Sequence, residues 1–179
     1  RGDKHALGLP TDKHLLILQG SGINIQRGAE ELVQSMQYLD DCFLMIIGGG
    51  DVLPILKQMV EDLKIADRVR FFPRMPYQQM MAYTQLAELG FCLDKDTNLN
   101  YRFSLPNKLF DFIQAGVPIV ASHLTEIEKI IRQYDLGLFI ENHEPATIAA
   151  TIREALTDDM QREEWKRNLQ VAAQDLCWE

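Results

Sequence analysis

Cysteine is scarce: Cys42, Cys92 and Cys177 are the three in 179 residues. They are odd in number, far apart and flanked by apolar neighbours. That excludes the paired, closely spaced framework of a disulfide scaffold or a zinc site, and they read as reduced core residues. Basic residues are outnumbered, with 18 Lys and Arg against 26 Asp and Glu, a formal net charge of -8 and a pI near 5.0. A general nucleic-acid binder, or a protein that coats an anionic membrane, needs a basic face, so the balance argues against both. An anionic small ligand held by a few local cations stays open. No apolar run approaches the roughly 18 residues of a membrane span, and no signal peptide opens the chain. There is no Asn-x-Ser/Thr sequon, internal repeat, low-complexity tract or linker. A reduced, cytoplasmic domain is expected. Because residue 1 is Arg1 and not Met, a piece of something longer is expected too.

What is present is an ordinary globular mixture, 46% apolar and 25% charged. A chain of this size buries roughly 70% of its unfolded surface, enough for one proper core. Short apolar runs appear at 14–19, 43–47, 69–72, 88–93, 118–121 and 136–140. Helical periodicity lies between them at 29–39, 52–64, 77–83, 108–115, 125–134 and 145–156, and a final helix is expected over 160–177. Leu32, Val33, Met36 and Leu39 make one apolar stripe; Leu53, Leu56, Val60 and Leu63 make another. Nearly all-apolar strands that alternate with helices predict a parallel sheet covered on both faces. The expected fold is α/β, a three-layer, doubly wound, Rossmann-like single domain over 1–179.

That architecture predicts where a ligand goes. In a parallel sheet every strand-to-helix loop opens at the carboxyl edge, and ligands bind there. The unusual residues fall in those loops: Gly20–Gly28 after the first strand, Gly48–Asp51 after the second, Pro73 and Arg74 after the third, and 94–103 after the fourth. Gly20, Gly22 and Gly28 let backbone approach a ligand, and Arg27 arrives at a helix start that suits an anion. The plain alternative is that such turns hold glycine for chain geometry alone. Three glycines in series at 48–50 suggest space for a sugar or phosphate, with Asp51 capping the next helix. Further on, Ser104 suits a helix cap and Pro106 a first turn. Lys108 and Asp111 share a face and suit a diphosphate and vicinal hydroxyls, or else an exposed ion pair of little consequence. Met75, Met80 and Met81 read as core filler. No His, Cys and Asp cluster has metal-ligand spacing, and His5, His14 and His143 look peripheral.

These residues together resemble the C-terminal, nucleotide-sugar-binding half of retaining GT-B glycosyltransferases, the group 1 family of bacterial capsule and lipopolysaccharide enzymes. The likeness runs from Gly20 through Arg27-Gly28, Gly48–Asp51, Arg68-Val69-Arg70-Phe71 and Ser104–Ser122, to the closing Trp178-Glu179. It implies a nucleotide-sugar donor as substrate, no metal or other cofactor, and a separate N-terminal domain that holds the acceptor. It also implies a role in cell-surface polysaccharide synthesis, with any membrane attachment peripheral, at the inner face, through the missing half. By this likeness Gly20, Gly22, Arg27, Asn107 and Lys108 would meet the diphosphate, Arg27 in place of the family's phosphate-binding Lys. Asp111 stands where the second Glu of the Glu, seven residues, Glu motif grips the ribose. Gly49, Pro73, Arg74 and His123 would border the base or sugar. The chain departs from the pattern at Phe103, where the first Glu is expected, and at Ser21, where many members carry a second phosphate-binding Arg. Half of a nucleotide-sugar epimerase is the alternative, which needs carboxylates and a His by the sugar. A phosphoacceptor receiver fails, because the first and third strands end in Gln19-Gly20 and Phe72-Pro73 and not in acids.

Overall fold

A computed structural model describes residues 3–20, 22–96 and 107–176. Ser21, Phe103, Ser104, Pro106, Cys177, Trp178 and Glu179 lie outside them, so the expectations placed on those residues do too. Six strands form one sheet: β1 His14–Gly20, β2 Cys42–Gly48, β3 Val69–Phe72, β4 Leu89–Cys92, β5 Ile119–Ala121 and β6 Gly137–Phe139. Their order is β3-β2-β1-β4-β5-β6, and all five pairings are parallel. The chain winds outward from β1 to β3, then restarts at β4 and winds the other way. β1 and β4 therefore flank the point where the order reverses, and a crevice opens at their carboxyl ends.

The helices are α1 Ala29–Ser35, α2 Leu53–Asp62, α3 Tyr77–Thr84, α4 Asn107–Ala115, α5 Thr125–Tyr134, α6 Pro145–Thr157 and α7 Asp159–Asp175. The expected helix over 29–39 is α1 followed by a 3-10 turn at Met36–Tyr38. Its whole predicted stripe, Leu32, Val33, Met36 and Leu39, is buried. Because side chains alternate along a strand, β1 feeds two cores. Leu16 and Leu18 face α1, α2 and α6; Leu15 and Ile17 face α4, α5 and α7. Helix α7 serves both, with Trp165 in the first core and Leu169 and Ala172 in the second. Each fully buried leucine contributes about 1.5–3 kcal/mol relative to exposure, which is why strands apolar on both faces select this layered arrangement. Burial pushes the thiols of Cys42 and Cys92 up to about 12, so both are inert core residues, as expected.

One expectation needs correction. Asp51 does not cap α2: the helix starts from Val52 without a side-chain cap, and a proline lies in its first turn. The Asp51 N–H instead donates to Asn24 Oδ1 at 3.0 Å. That bond belongs to a lacing of the two glycine loops, in which the Ile23 N–H donates to the Gly49 carbonyl and the Val52 N–H to the Ile23 carbonyl.

Candidate functional site

A cavity of about 310 Å³ opens at the carboxyl edge, lined by Gln19, Gly20, Gly48, Arg74, Tyr77, Asn107, Lys108 and Asp111, among others. Five of the ten residues singled out from the sequence thus meet in one wall: Gly20, Arg74, Asn107, Lys108 and Asp111. Gly49 lies behind Arg74, whose guanidinium would be 2.7 Å from a Cβ placed there. Gly22 belongs to the laced loop, and Pro73 is exposed beside Arg74 without lining the cavity.

His123 is not brought to this wall. Its Nδ1 is 2.9 Å from Glu128 Oε1, and its ring stacks on Phe139 with centroids 4.7 Å apart. It serves the β5–α5 turn. His143, expected to be peripheral, is half-buried, and its Nε2 donates to the Leu93 carbonyl at 2.8 Å. It braces the end of β4 directly behind the site.

Lys108 and Asp111 share a helix face but do not pair. Lys108 Nζ turns to Asp94 Oδ1 at 3.5 Å. Arg27 Nη1 reaches Asp94 Oδ2 at 3.4 Å from the loop between β1 and α1. Asp94 is 3% exposed. It follows β4 and ties the two expected phosphate cations together. Only its place at the end of an apolar run marks it in the sequence. Gly28, the residue before α1, has φ 81, a left-handed conformation that L side chains avoid. A Cβ there would also collide with the Leu93 carbonyl. Glycine is required at this position for the chain to bring Arg27 against β4. The first turn of α1 already carries Glu30 and Glu31, and Glu31 binds Lys95 at 2.6 Å. Of the two cations expected to meet the phosphates, Arg27 does not line the cavity and Lys108 does; both face Asp94.

Asp111 faces the cavity from α4. Tyr77 OH donates to its Oδ1 at 3.2 Å, and Gln19 Nε2 to its Oδ2 at 3.5 Å. The Gln19 amide is itself oriented by Thr84, whose hydroxyl donates to Oε1 at 2.6 Å. Burial raises the Asp111 pKa, partly offset by the hydrogen bonds from Tyr77 and Gln19. Sequence reasoning passed over Gln19, Tyr77 and Thr84. Gln19 was visible as a polar residue closing an otherwise apolar strand; Tyr77 and Thr84 carried no signal.

A larger cleft of about 610 Å³ lies at the opposite, amino edge. Its Arg162 is committed to Glu88 and Asp159 at 2.6 and 2.5 Å, so acids and bases there largely cancel. The carboxyl-edge cavity is smaller but has the convergent, unequal charges that bind a specific ligand. Among the described residues, no group of three or more His, Cys, Asp or Glu side chains is placed to hold a metal. No described helix is long and apolar enough to cross a membrane.

The fold and rim define a doubly wound α/β domain with an anion-suited crevice at its switch point, the layout of GT-B glycosyltransferases. Residues 3–171 match the family described as Glycosyl transferases group 1, and the chain belongs to it. A D-inositol 3-phosphate glycosyltransferase of Xylanimonas cellulosilytica is 22% identical over 188 residues, covering 98% of this chain and 42% of that protein. A GDP-mannose-dependent alpha-(1-6)-phosphatidylinositol monomannoside mannosyltransferase of Mycolicibacterium smegmatis is 23% identical over 74% of the chain and 36% of its own length. Among solved structures, a sucrose-phosphate synthase from Thermosynechococcus elongatus superposes with TM-score 0.82 at 19% identity, over 97% of this chain and 43% of that one. The chain thus spans well under half of such relatives. The C-terminal domain of a glycosyl transferase group 1 family protein from Francisella tularensis matches at TM-score 0.75 and 15% identity. That match covers 96% of this chain and 89% of the other.

Proposed function

We propose that this chain is the C-terminal, donor-binding half of a retaining GT-B glycosyltransferase. It holds a nucleoside-diphosphate sugar, from which a hexosyl group passes to a glycan or lipid-linked acceptor on an N-terminal domain, in cell-surface polysaccharide synthesis. The carrying observation is the wall itself: Lys108 and Asp111 share one face yet stay unpaired, the cation drawn to Asp94 and the carboxylate left facing the cavity. Relatives named for transfer to D-inositol 3-phosphate and to a phosphatidylinositol mannoside support transfer to a hydroxyl acceptor. A similar structure, from Anabaena, was solved with UDP and glucose. The isomerase reading has no support in this family, and His123 is engaged elsewhere.

In the reaction, the anomeric C–O bond to the β-phosphate breaks as the acceptor oxygen bonds to the anomeric carbon. The acceptor's proton passes to the departing phosphate. Negative charge grows on that phosphate in the transition state, and preorganised Arg27 and Lys108 stabilise it there without reorganisation. Cations of the chain take the place of a metal in this account. Asp111, one methylene shorter than the family's usual Glu, accepts from the two ribose hydroxyls. Gln19 and Tyr77 hold its carboxylate plane.

Asp111→Asn tests the ribose contact, because it keeps the shape and removes the charge. It should weaken a ribonucleotide roughly 10-fold or more while barely changing the 2′,3′-dideoxy analogue. Calorimetric titration of both proteins with both nucleotides decides it; the same ratio for the two ligands would sink the ribose assignment.

A further inference from the structure

Gln19 brings an amide into the cavity wall, and its surroundings decide which end of that amide meets Asp111. Along β1, Leu15, Ile17 and Gln19 point to one face of the sheet, the face that α3 and α4 cover. There Gln19 is 1% exposed and Thr84, the last residue of α3, is fully buried. Thr84 Oγ1 is 2.6 Å from Gln19 Oε1 and 3.0 Å from the Met80 carbonyl, one turn back in its own helix. The hydroxyl has a single proton and both of these oxygens only accept. The contact to Gln19 is the shorter.

The two ends of an amide carry opposite partial charges. With Oε1 held by Thr84, Nε2 is the end that reaches Asp111 Oδ2, at 3.5 Å. That is long for a hydrogen bond, but an oriented dipole still acts on a charge at this range. Were the hydroxyl proton given to Met80 instead, the amide would turn over to donate to Thr84, and its oxygen would oppose the carboxylate. Tyr77, at the first residue of α3, donates to Asp111 Oδ1 at 3.2 Å. One helix thus reaches both oxygens of Asp111, directly at its start and through Gln19 at its end. A carboxylate has about four acceptor sites, two on each oxygen. Tyr77 and Gln19 take one each and leave one each, the number that two vicinal hydroxyls require.

We propose, resting on the ribose reading of Asp111 above, that Thr84 is a positioning residue of the donor site, acting through Gln19. It does not line the cavity. Its hydroxyl sets which end of the Gln19 amide faces the carboxylate, and so holds Asp111 ready to accept from two hydroxyls. The carboxylate is then preorganised before the nucleotide arrives, and less binding energy is spent on ordering it.

The test titrates the 179-residue chain with UDP and GDP and with the 2′,3′-dideoxy form of each, and reads the preference for the ribonucleotide. Wild type should prefer it about 10-fold or more. Thr84→Val, which keeps the shape and removes the hydroxyl, should lower that preference about 3-fold, the size of one neutral hydrogen bond. Thr84→Ser, which keeps a hydroxyl, should retain it. Gln19→Met should lower it by a similar factor, and Thr84→Val added to Gln19→Met should change nothing further, because residues acting through one another are not additive. A merely structural role would weaken both forms of the nucleotide alike and leave the preference whole. Should Thr84→Val not fold, Gln19→Met makes the comparison, with the Thr84 proton left to Met80. A full preference in Thr84→Val or in Gln19→Met, a loss in Thr84→Ser as large as in Thr84→Val, or strict additivity would each overturn the proposal while leaving the ribose reading intact. Equal binding of the two forms by wild type, or binding of neither, would overturn the ribose reading and the proposal together.

Discussion

Asp111 is held where its ionised form is disfavoured, and the fold bears that cost for the sake of the cavity. Its pKa is raised chiefly by burial. With the folded pKa above the unfolded one, the folded state keeps its proton longer, so stability from this residue falls as pH rises from about 4 toward the raised value. Asp111→Asn removes the charge and with it this dependence. Thermal melts at pH 7 should therefore show the variant as stable as wild type or more so, although its ribonucleotide affinity is lost. A variant that lost stability and affinity together would mark Asp111 as a structural residue. Tyr77 is tied to the same carboxylate: burial first, then the Asp111 charge and hydrogen bond, raise its pKa and keep the phenol a donor.

Among the elements, the two edges of the sheet divide the work. At the amino edge, Arg153 of α6 grips Asp41 with two bonds of 2.7 Å, and Arg162 of α7 grips Glu88. The Arg153 contact holds the Asp41 carboxyl well below the usual carboxylate range, against the opposing effect of burial. A depressed carboxylate adds stability above its unfolded pKa, about 4, and loses it as pH falls. Arg153→Met should therefore flatten the loss of stability between about pH 5 and pH 3, measured by urea midpoints; an unchanged slope would contradict the brace. At the carboxyl edge the joint is Gly28. Gly28→Ala meets both a left-handed φ and the Leu93 carbonyl, and should destabilise by about 1–3 kcal/mol or more. Urea unfolding checks that value, and a change below about 0.5 kcal/mol would mean the loop can yield.

The central strands β1 and β2 were legible because burial on both faces leaves them no polar alternation; the strand over 69–72 and the helix over 125–134 match to the residue. The end of α1 was less so, since a 3-10 turn and a helix share periodicity over a few residues. Within the site, Gly20, Lys108 and Asp111 could be read because a rim residue of unusual type stands out against an apolar sheet. Asp94 and Gln19 showed only as polar residues ending apolar runs, and Tyr77 not at all; their roles were hidden because partners such as Asp94–Arg27, 67 residues apart, depend on which strands become neighbours. His123 shows the converse: it follows a strand at the same edge but contacts Glu128 and Phe139 and does not line the cavity.

Over the whole molecule, a net charge of -8 surrounds a small local excess of positive charge, which suits a compact anion and not a polyanion. The chain covers 43% of the synthase it superposes on. The rim therefore offers one wall of a cleft in this account, and the isolated chain should fold and bind donor but transfer no sugar. Radiolabelled sugar transferred to an acceptor by the purified chain would contradict that. The central claim is narrower: Arg27 and Lys108 at the carboxyl edge read a diphosphate. Its most direct measurement is calorimetric titration of the chain with a nucleoside diphosphate and the matching nucleoside, beside an Arg27→Met, Lys108→Met double variant. The diphosphate should bind wild type about 10-fold more tightly or better, and that advantage should vanish in the double variant. Equal binding of the two ligands by wild type, or an advantage that survives the loss of both cations, would contradict the account.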